Sequence, residues 1–164
     1  ARLVGNTGHV DAHDVRPAAL AELRTRVSRA GITNVRTCSA PAATGYDGVL
    51  VDAPCSGTGT WRRAPHLKWV TTEEHIRRAA ETQAALLRQF AAQVKPGGRL
   101  VYATCSLSGR ENLDVVAAFL AERREFRPAP FVNVFGFEPD GAGLTIWPAR
   151  HDSDGFFVAS LRRQ

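Results

Sequence analysis

Short apolar runs alternate with amphipathic stretches along this chain, and that order is satisfied by a sheet covered by helices. Tyr46 to Asp52 (YDGVLVD) is a strand of the fully buried type, and Arg99 to Thr104 (RLVYAT) is a second strong strand. His9 to His13, Asn34 to Cys38, Phe131 to Val134 and Phe156 to Leu161 read as further strands. Arg16 to Ala30 carries Ala19, Leu20, Leu23 and Val27 at helical spacing, with Pro17 suited to a first turn and Gly31 to the position past the end. Thr72 to Val94 predicts a long helix, capped by Thr71 or Thr72, with Glu73 and Glu74 in its first turn. Lys95-Pro-Gly-Gly turns the chain into the next strand, and Gly109 to Arg124 predicts another helix. The expected fold is α/β, a mostly parallel sheet with helices on both faces, in one domain over residues 1–164.

Sheets of this kind place their chemistry at the carboxyl ends of the strands. Those ends carry Asp14, Asp52-Ala-Pro-Cys55 and Thr104-Cys105-Ser106, which are expected to converge on one rim. Asp14 suits either a ribose hydroxyl or a helix cap. Asp52 is costly at the end of an apolar strand unless it bonds something. Pro54 restrains the backbone after it, and Ser56-Gly-Thr-Gly59 makes a loop that can approach a ligand closely. Cys105 is either an inert core thiol or a nucleophile; Cys55 at the neighbouring strand end favours a reactive pair.

The formal charge is +5, from 21 basic and 16 acidic residues, which is compatible with a polyanionic partner. Arg62, Arg63 and Lys68, interleaved with Trp61 and Trp69, are candidates for an RNA backbone contact or simply a solvated face. His151 is a candidate rim base. Three cysteines, at 38, 55 and 105, with no C-x-x-C pair, argue against a disulfide framework or a zinc site. No apolar run reaches membrane-spanning length, and the expected location is the cytoplasm.

VLVDAPCSGTG (residues 49–59) and GGRLVYATCSLSGREN (residues 97–112) resemble the DAPCSGTG and YATCS signatures of the Sun/RsmB-type (NOL/NOP/Sun) RNA 5-methylcytosine methyltransferases. Asp14, WRRAPHLKW (residues 61–69), the Glu111-Asn112 pair and DGFFVASL (residues 154–161) extend the similarity along most of the chain. The resemblance implies a Rossmann-like class I methyltransferase fold and S-adenosylmethionine as cofactor, contacted by Asp14, Ser39, Asp52 and Pro54. It assigns to Cys105 the thiolate that adds to carbon 6 of cytosine, because carbon 5 cannot take a methyl group unaided. Asp52 would hydrogen-bond the cytosine edge or the cofactor, and Cys55 would assist loss of the carbon 5 proton. The substrate it implies is unpaired or flipped RNA, ribosomal RNA first and transfer RNA second.

The family's glycine-rich cofactor loop and first, central strand lie upstream of Asp14, and Ala1 to Gly8 resembles the end of the helix that follows them. The expectation is a partial catalytic domain with open sheet edges, weak cofactor binding, little turnover and a tendency to self-associate through those edges. Where the family offers an acid, this chain has Cys38-Ser39-Ala40, so adenine recognition would rest on the Ser39 hydroxyl or on backbone groups. Two alternatives remain open. An amino-group methyltransferase would use D-A-P-C to grip an exocyclic amine and need no nucleophilic cysteine. A non-catalytic RNA-binding fragment would tolerate loss of both.

Overall fold

The computed structural model of the protein describes residues 1, 4, 5, 8–129, 131 and 135–164. Two units divide the chain, Ala1–Ala43 and Thr44–Gln164.

In the first unit, β1 (Val10–His13) and β2 (Val35–Cys38) run parallel with Val10 opposite Val35. Asp11 faces Arg36 across this ladder, and the guanidinium grips its carboxylate at 3.0 and 2.9 Å. The connecting helix α1 (Pro17–Arg29) starts as the sequence predicts: the residue before a proline is driven out of the helical region, and Arg16 is extended at φ −95°. It ends at Gly31, whose φ of +62° few side chains would tolerate. The predicted apolar face, Ala19, Leu20, Leu23 and Val27, is the half-buried one.

The second unit is built on a six-stranded sheet, with β3 (Tyr46–Asp52), β4 (Val94–Thr104), β8 (Phe156–Arg163), β7 (Gly143–Ile146) and β6 (Glu138–Asp140) in that order. The remaining strand, β5 (Phe126–Pro128), also pairs with β8. β3 and β4 are parallel, whereas every pairing of β8 is antiparallel, so the sheet is mixed. β3 is an edge strand of this sheet. Val51 is buried while Leu50 is 67% exposed, which corrects the expectation of a strand buried on both faces. Lys95–Gly98 is not a turn ahead of the strand, as expected, but a bulge within β4: Tyr46 pairs with Val94 and Gly48 already with Arg99.

Helix α3 (Glu73–Ala91) is capped by Thr72, whose hydroxyl accepts from the His75 amide at 3.1 Å. The predicted helix over Gly109–Arg124 divides at Asn112 into a short 3₁₀ turn and α4 (Leu113–Glu122). Two further short helices, α2 (Leu67–Val70) and α5 (Pro148–His151), have no clear periodicity in the sequence. Leu100, Tyr102 and Thr104 of β4 stand opposite Leu161, Ala159 and Phe157 of β8, all fully buried. Leu87 and Ala91 of α3 and Val115, Val116 and Phe119 of α4 complete this core. Each large apolar side chain buried here contributes about 1.5–3 kcal/mol. The expected strand over Phe131–Val134 and most of the expected Ala1–Gly8 helix end lie outside the described residues. No helix among the described residues is long and apolar enough to cross a membrane.

Candidate active site

Parallel register brings the two cysteine motifs together. Asp52 of β3 pairs with Ala103 of β4, and the ladder continues one step further as the Ala53 amide donates to the Ala103 carbonyl at 3.0 Å. Both chains leave the sheet at the same end, with Cys55 three residues beyond Asp52 and Cys105 two beyond Ala103. Their sulfurs are 3.1 Å apart and both side chains are half-buried.

At that distance one thiol donates to the other. The hydrogen bond from Cys55 holds the Cys105 thiol down to about 7, with Arg63 adding a smaller pull, while burial and the nearby Asp52 charge act against it. The same contact, reinforced by burial, pushes the Cys55 thiol far above the ordinary range. Both directions favour a thiolate on Cys105 that accepts a hydrogen bond from a protonated Cys55. The third cysteine has a different setting: burial and Asp11 push the Cys38 thiol up, as suits an unreactive filler.

Gly59 joins three segments. Its amide donates to the Cys105 carbonyl at 2.9 Å, and its carbonyl accepts from the Gly155 amide at 2.7 Å. A Cβ there would lie 2.2 Å from the Gly155 carbonyl oxygen, so only glycine lets these backbones meet. Gly57, at φ +71°, begins the turn that carries Gly59 inward. The Thr58 hydroxyl accepts from the Leu107 amide at 2.8 Å and ties the two cysteine loops a second time.

Under these loops lies a buried polar cluster. Glu111, fully buried, accepts from the Ser56 amide at 2.8 Å, from the Ser56 hydroxyl, from the Ser106 hydroxyl at 2.6 Å and from Gln83 at 3.0 Å. Thr104 donates to Asn112 at 2.7 Å, and Asn112 donates to the Ser106 carbonyl at 2.9 Å. Sequence reasoning misses Gln83 although the residue carries a signal. It lies on the same helical stripe as Leu87 and Ala91, a polar residue where the pattern demands an apolar one.

The remaining predicted residues divide by unit. Asp52 is exposed, with no ion pair among the described residues. The Pro54 carbonyl is taken by Gln83 at 3.0 Å. Arg62 pairs with Asp152 at 2.6 Å and Arg63 with Asp154 at 2.5 Å, so both guanidiniums face the tail segment. Lys68 lies 6.0 Å from the ring of Trp69, which is 85% exposed. The His151 Nε2 is buried without a hydrogen-bond partner among the described residues, which does not suit a base that must reach a substrate proton. In the first unit, Asp14 and Ser39 follow β1 and β2. Arg16 clasps the Asp14 carboxylate through its amide at 2.8 Å and its side chain at 3.0 and 2.9 Å, holding that carboxyl down to about 2.

Known proteins share this framework. The crystal structure of PH0851 superimposes with a TM-score of 0.87 at 34% identity over 95% of this chain and 37% of that one. That of NSun6 from Pyrococcus horikoshii with SFG gives 0.88 at 28% identity, over 99% and 43%. The architecture is thus the Rossmann-like methyltransferase fold. Ribosomal RNA small subunit methyltransferase B of Vibrio vulnificus is 43% identical over 119 residues, 73% of this chain and 26% of the relative. The probable ribosomal RNA small subunit methyltransferase B of Bacillus subtilis is 34% identical over all of this chain and 40% of its own length. The chain therefore spans between a quarter and two fifths of these relatives. The profile of the family described as 16S rRNA methyltransferase RsmB/F matches residues 1–162, and the chain belongs to that family.

Proposed function

We propose that this chain carries the nucleophile of an enzyme that moves a methyl group from S-adenosylmethionine to carbon 5 of a cytosine in RNA, ribosomal RNA above all. The observation that carries this reading is the 3.1 Å contact between Cys55 and Cys105. An amino-group methyltransferase has no use for a thiolate held beside a protonated thiol.

The Cys105 sulfur forms a bond to carbon 6, and the carbon 5–carbon 6 π pair becomes available at carbon 5. S-adenosylmethionine, when bound, supplies an electrophilic methyl on a sulfonium. Carbon 5 takes that methyl as the sulfonium bond breaks. Loss of the carbon 5 proton then restores the double bond and expels the Cys105 thiolate. Cys55 suits the proton step for a physical reason. The negative neighbour that keeps it protonated disappears once Cys105 is bonded to carbon, so Cys55 can release its own proton to solvent and its thiolate then takes the carbon 5 proton.

Asp52 fits the cofactor or the base, as an exposed carboxylate at the strand end with no ion pair among the described residues. It can accept from the cofactor's ammonium or from the cytosine amino group. Asp14 would take ribose hydroxyls only in competition with Arg16, and Ser39 would serve adenine through its hydroxyl or backbone. Pro54 offers its ring, since its carbonyl is engaged. Arg62, Arg63 and Lys68 supply charge for the RNA backbone, and the exposed ring of Trp69 a surface for a base.

The test is covalent trapping on RNA carrying 5-fluorocytosine, with S-adenosylmethionine. Fluorine cannot leave as a proton does, so a thiolate enzyme stays attached after methyl transfer. A denaturation-resistant adduct that disappears in Cys105→Ala is the expected result. Trapping only by an upstream-extended chain would make the present one an inactive part of that enzyme. A folded, RNA- and cofactor-binding protein that never traps would overturn the thiolate mechanism.

A further inference from the structure

One buried carboxylate touches the residue that follows each cysteine. Glu111 accepts from both the amide and the hydroxyl of Ser56, directly after Cys55, and from the hydroxyl of Ser106, directly after Cys105. Its fourth donor, Gln83, is itself fully buried and also bonds the carbonyl of Pro54, directly before Cys55. Cys55 is thus held through both of its chain neighbours and Cys105 through its following one. Glu111, at the end of the 3₁₀ turn, is in turn anchored from the core, where the Tyr102 hydroxyl donates to its backbone carbonyl at 2.6 Å.

A carboxylate is an expensive way to fill such a position. Removing it from water is costly unless hydrogen bonds replace the hydration, and no lysine or arginine among the described residues pairs with it. Four donors converge on its two oxygens. A carboxylate has about four lone-pair sites and no proton to place, whereas a glutamine has one acceptor oxygen and two unwanted donors. The donor set therefore selects a carboxylate over an amide of the same shape.

We infer that Glu111 is the positioning residue of the two-cysteine site: it touches neither sulfur, but by clamping Ser56 and Ser106 it sets the sulfur-to-sulfur contact through which Cys55 activates Cys105. This deepens the methyltransferase reading and, for its effect on turnover, rests on it. Its effect on the thiol does not.

The experiment follows the alkylation of Cys105 by iodoacetamide against pH in the full chain, read by mass spectrometry of the peptide containing that residue. The wild-type midpoint is expected near 7. In Glu111→Gln the Cys55 contact loosens and the midpoint rises toward the ordinary thiol value of about 8.5. A move from about 7 to about 8.5 lowers the thiolate fraction at pH 7 roughly fifteenfold, and trapping should slow in proportion. Ser56→Ala combined with Ser106→Ala removes two donors while leaving the carboxylate, and serves if Glu111→Gln does not fold; it should shift the midpoint in the same direction. An unchanged midpoint in either variant, with thermal unfolding showing a folded protein, overturns the inference. A shifted midpoint in a protein that never traps 5-fluorocytosine RNA keeps the clamp and removes the methylation reading instead.

Discussion

The Gly155 amide donates to the Gly59 carbonyl at 2.7 Å, and the two backbones approach so closely that neither position has room for a side chain. The contact joins the loop of Cys55 to the segment that leads into β8. Gly59→Ala should therefore displace that segment and lower stability by about 1–3 kcal/mol, the usual range for overpacking. Urea denaturation measures this, and an unchanged midpoint would show that the segment yields without cost.

The two cysteines should fail in opposite ways. Cys105→Ala abolishes attachment to RNA altogether. Cys55→Ala leaves attachment possible and impairs release, so that an adduct with ordinary cytosine RNA accumulates on denaturing gels. Equal loss of adduct in both variants would remove the division of labour between them.

Thr104 and Asn112 are both buried, and their hydrogen bond holds the Ser106 carbonyl in place. Asn112→Ala leaves that carbonyl without its partner and takes the acceptor from the Thr104 hydroxyl, which still accepts from the Ser106 amide. A loss of about 1–3 kcal/mol per unsatisfied group is expected in chemical denaturation. A loss below about 0.5 kcal/mol would mean that the cluster repacks.

Arg62 sits in an exposed ion pair with Asp152, and the exposed Arg63 in one with the half-buried Asp154. Such pairs contribute about 0–1 kcal/mol, so a phosphate can displace the aspartate and each single alanine variant should remain stable. Affinity for single-stranded RNA should fall, with the salt slope reduced by about 0.7 per lost contact. Fluorescence anisotropy across a salt series reads both, and an unchanged slope would place the RNA elsewhere.

Arg16 holds the Asp14 carboxyl down to about 2, against an unfolded value of about 3.9. The pairing's contribution to stability is present above the unfolded value and fades as pH falls toward the folded one. Carbon-detected NMR titration should find the midpoint near 2 in the wild type and close to 3.9 in Arg16→Ala. A wild-type midpoint already near 3.9 would mean that the clasp is open in solution.

Local rules make much of this protein legible from its residues alone. Pro17 and Gly31 bracket α1, Thr72 opens α3, and YDGVLVD ends β3 at Asp52, because caps, proline and left-handed glycines act within a few residues of themselves. The short strands β6 and β7 are not legible in this way, since three or four residues carry too little periodicity to stand out. Periodicity also carries the helix of α4 back through Asn112, where a polar residue that looks like ordinary helix surface instead turns inward to Thr104 and Ser106.

The cysteine pair divides along the same line. Chain order and residue type are enough to single out Cys55 and Cys105 as thiols at two strand ends. That their sulfurs meet follows from the parallel pairing of β3 with β4 and from a register in which Asp52 faces Ala103, and register is a long-range property. Glu111 and Gln83 stand out in the sequence only as part of a motif and as a polar break in an apolar stripe; their contacts belong to that second kind of information. One lies 28 residues from the other in sequence, and only the packing of α3 against the turn before α4 closes them onto the loops on either side. A carboxylate's hydrogen-bond partners depend on which backbones fold against it, and no spacing within the chain encodes them.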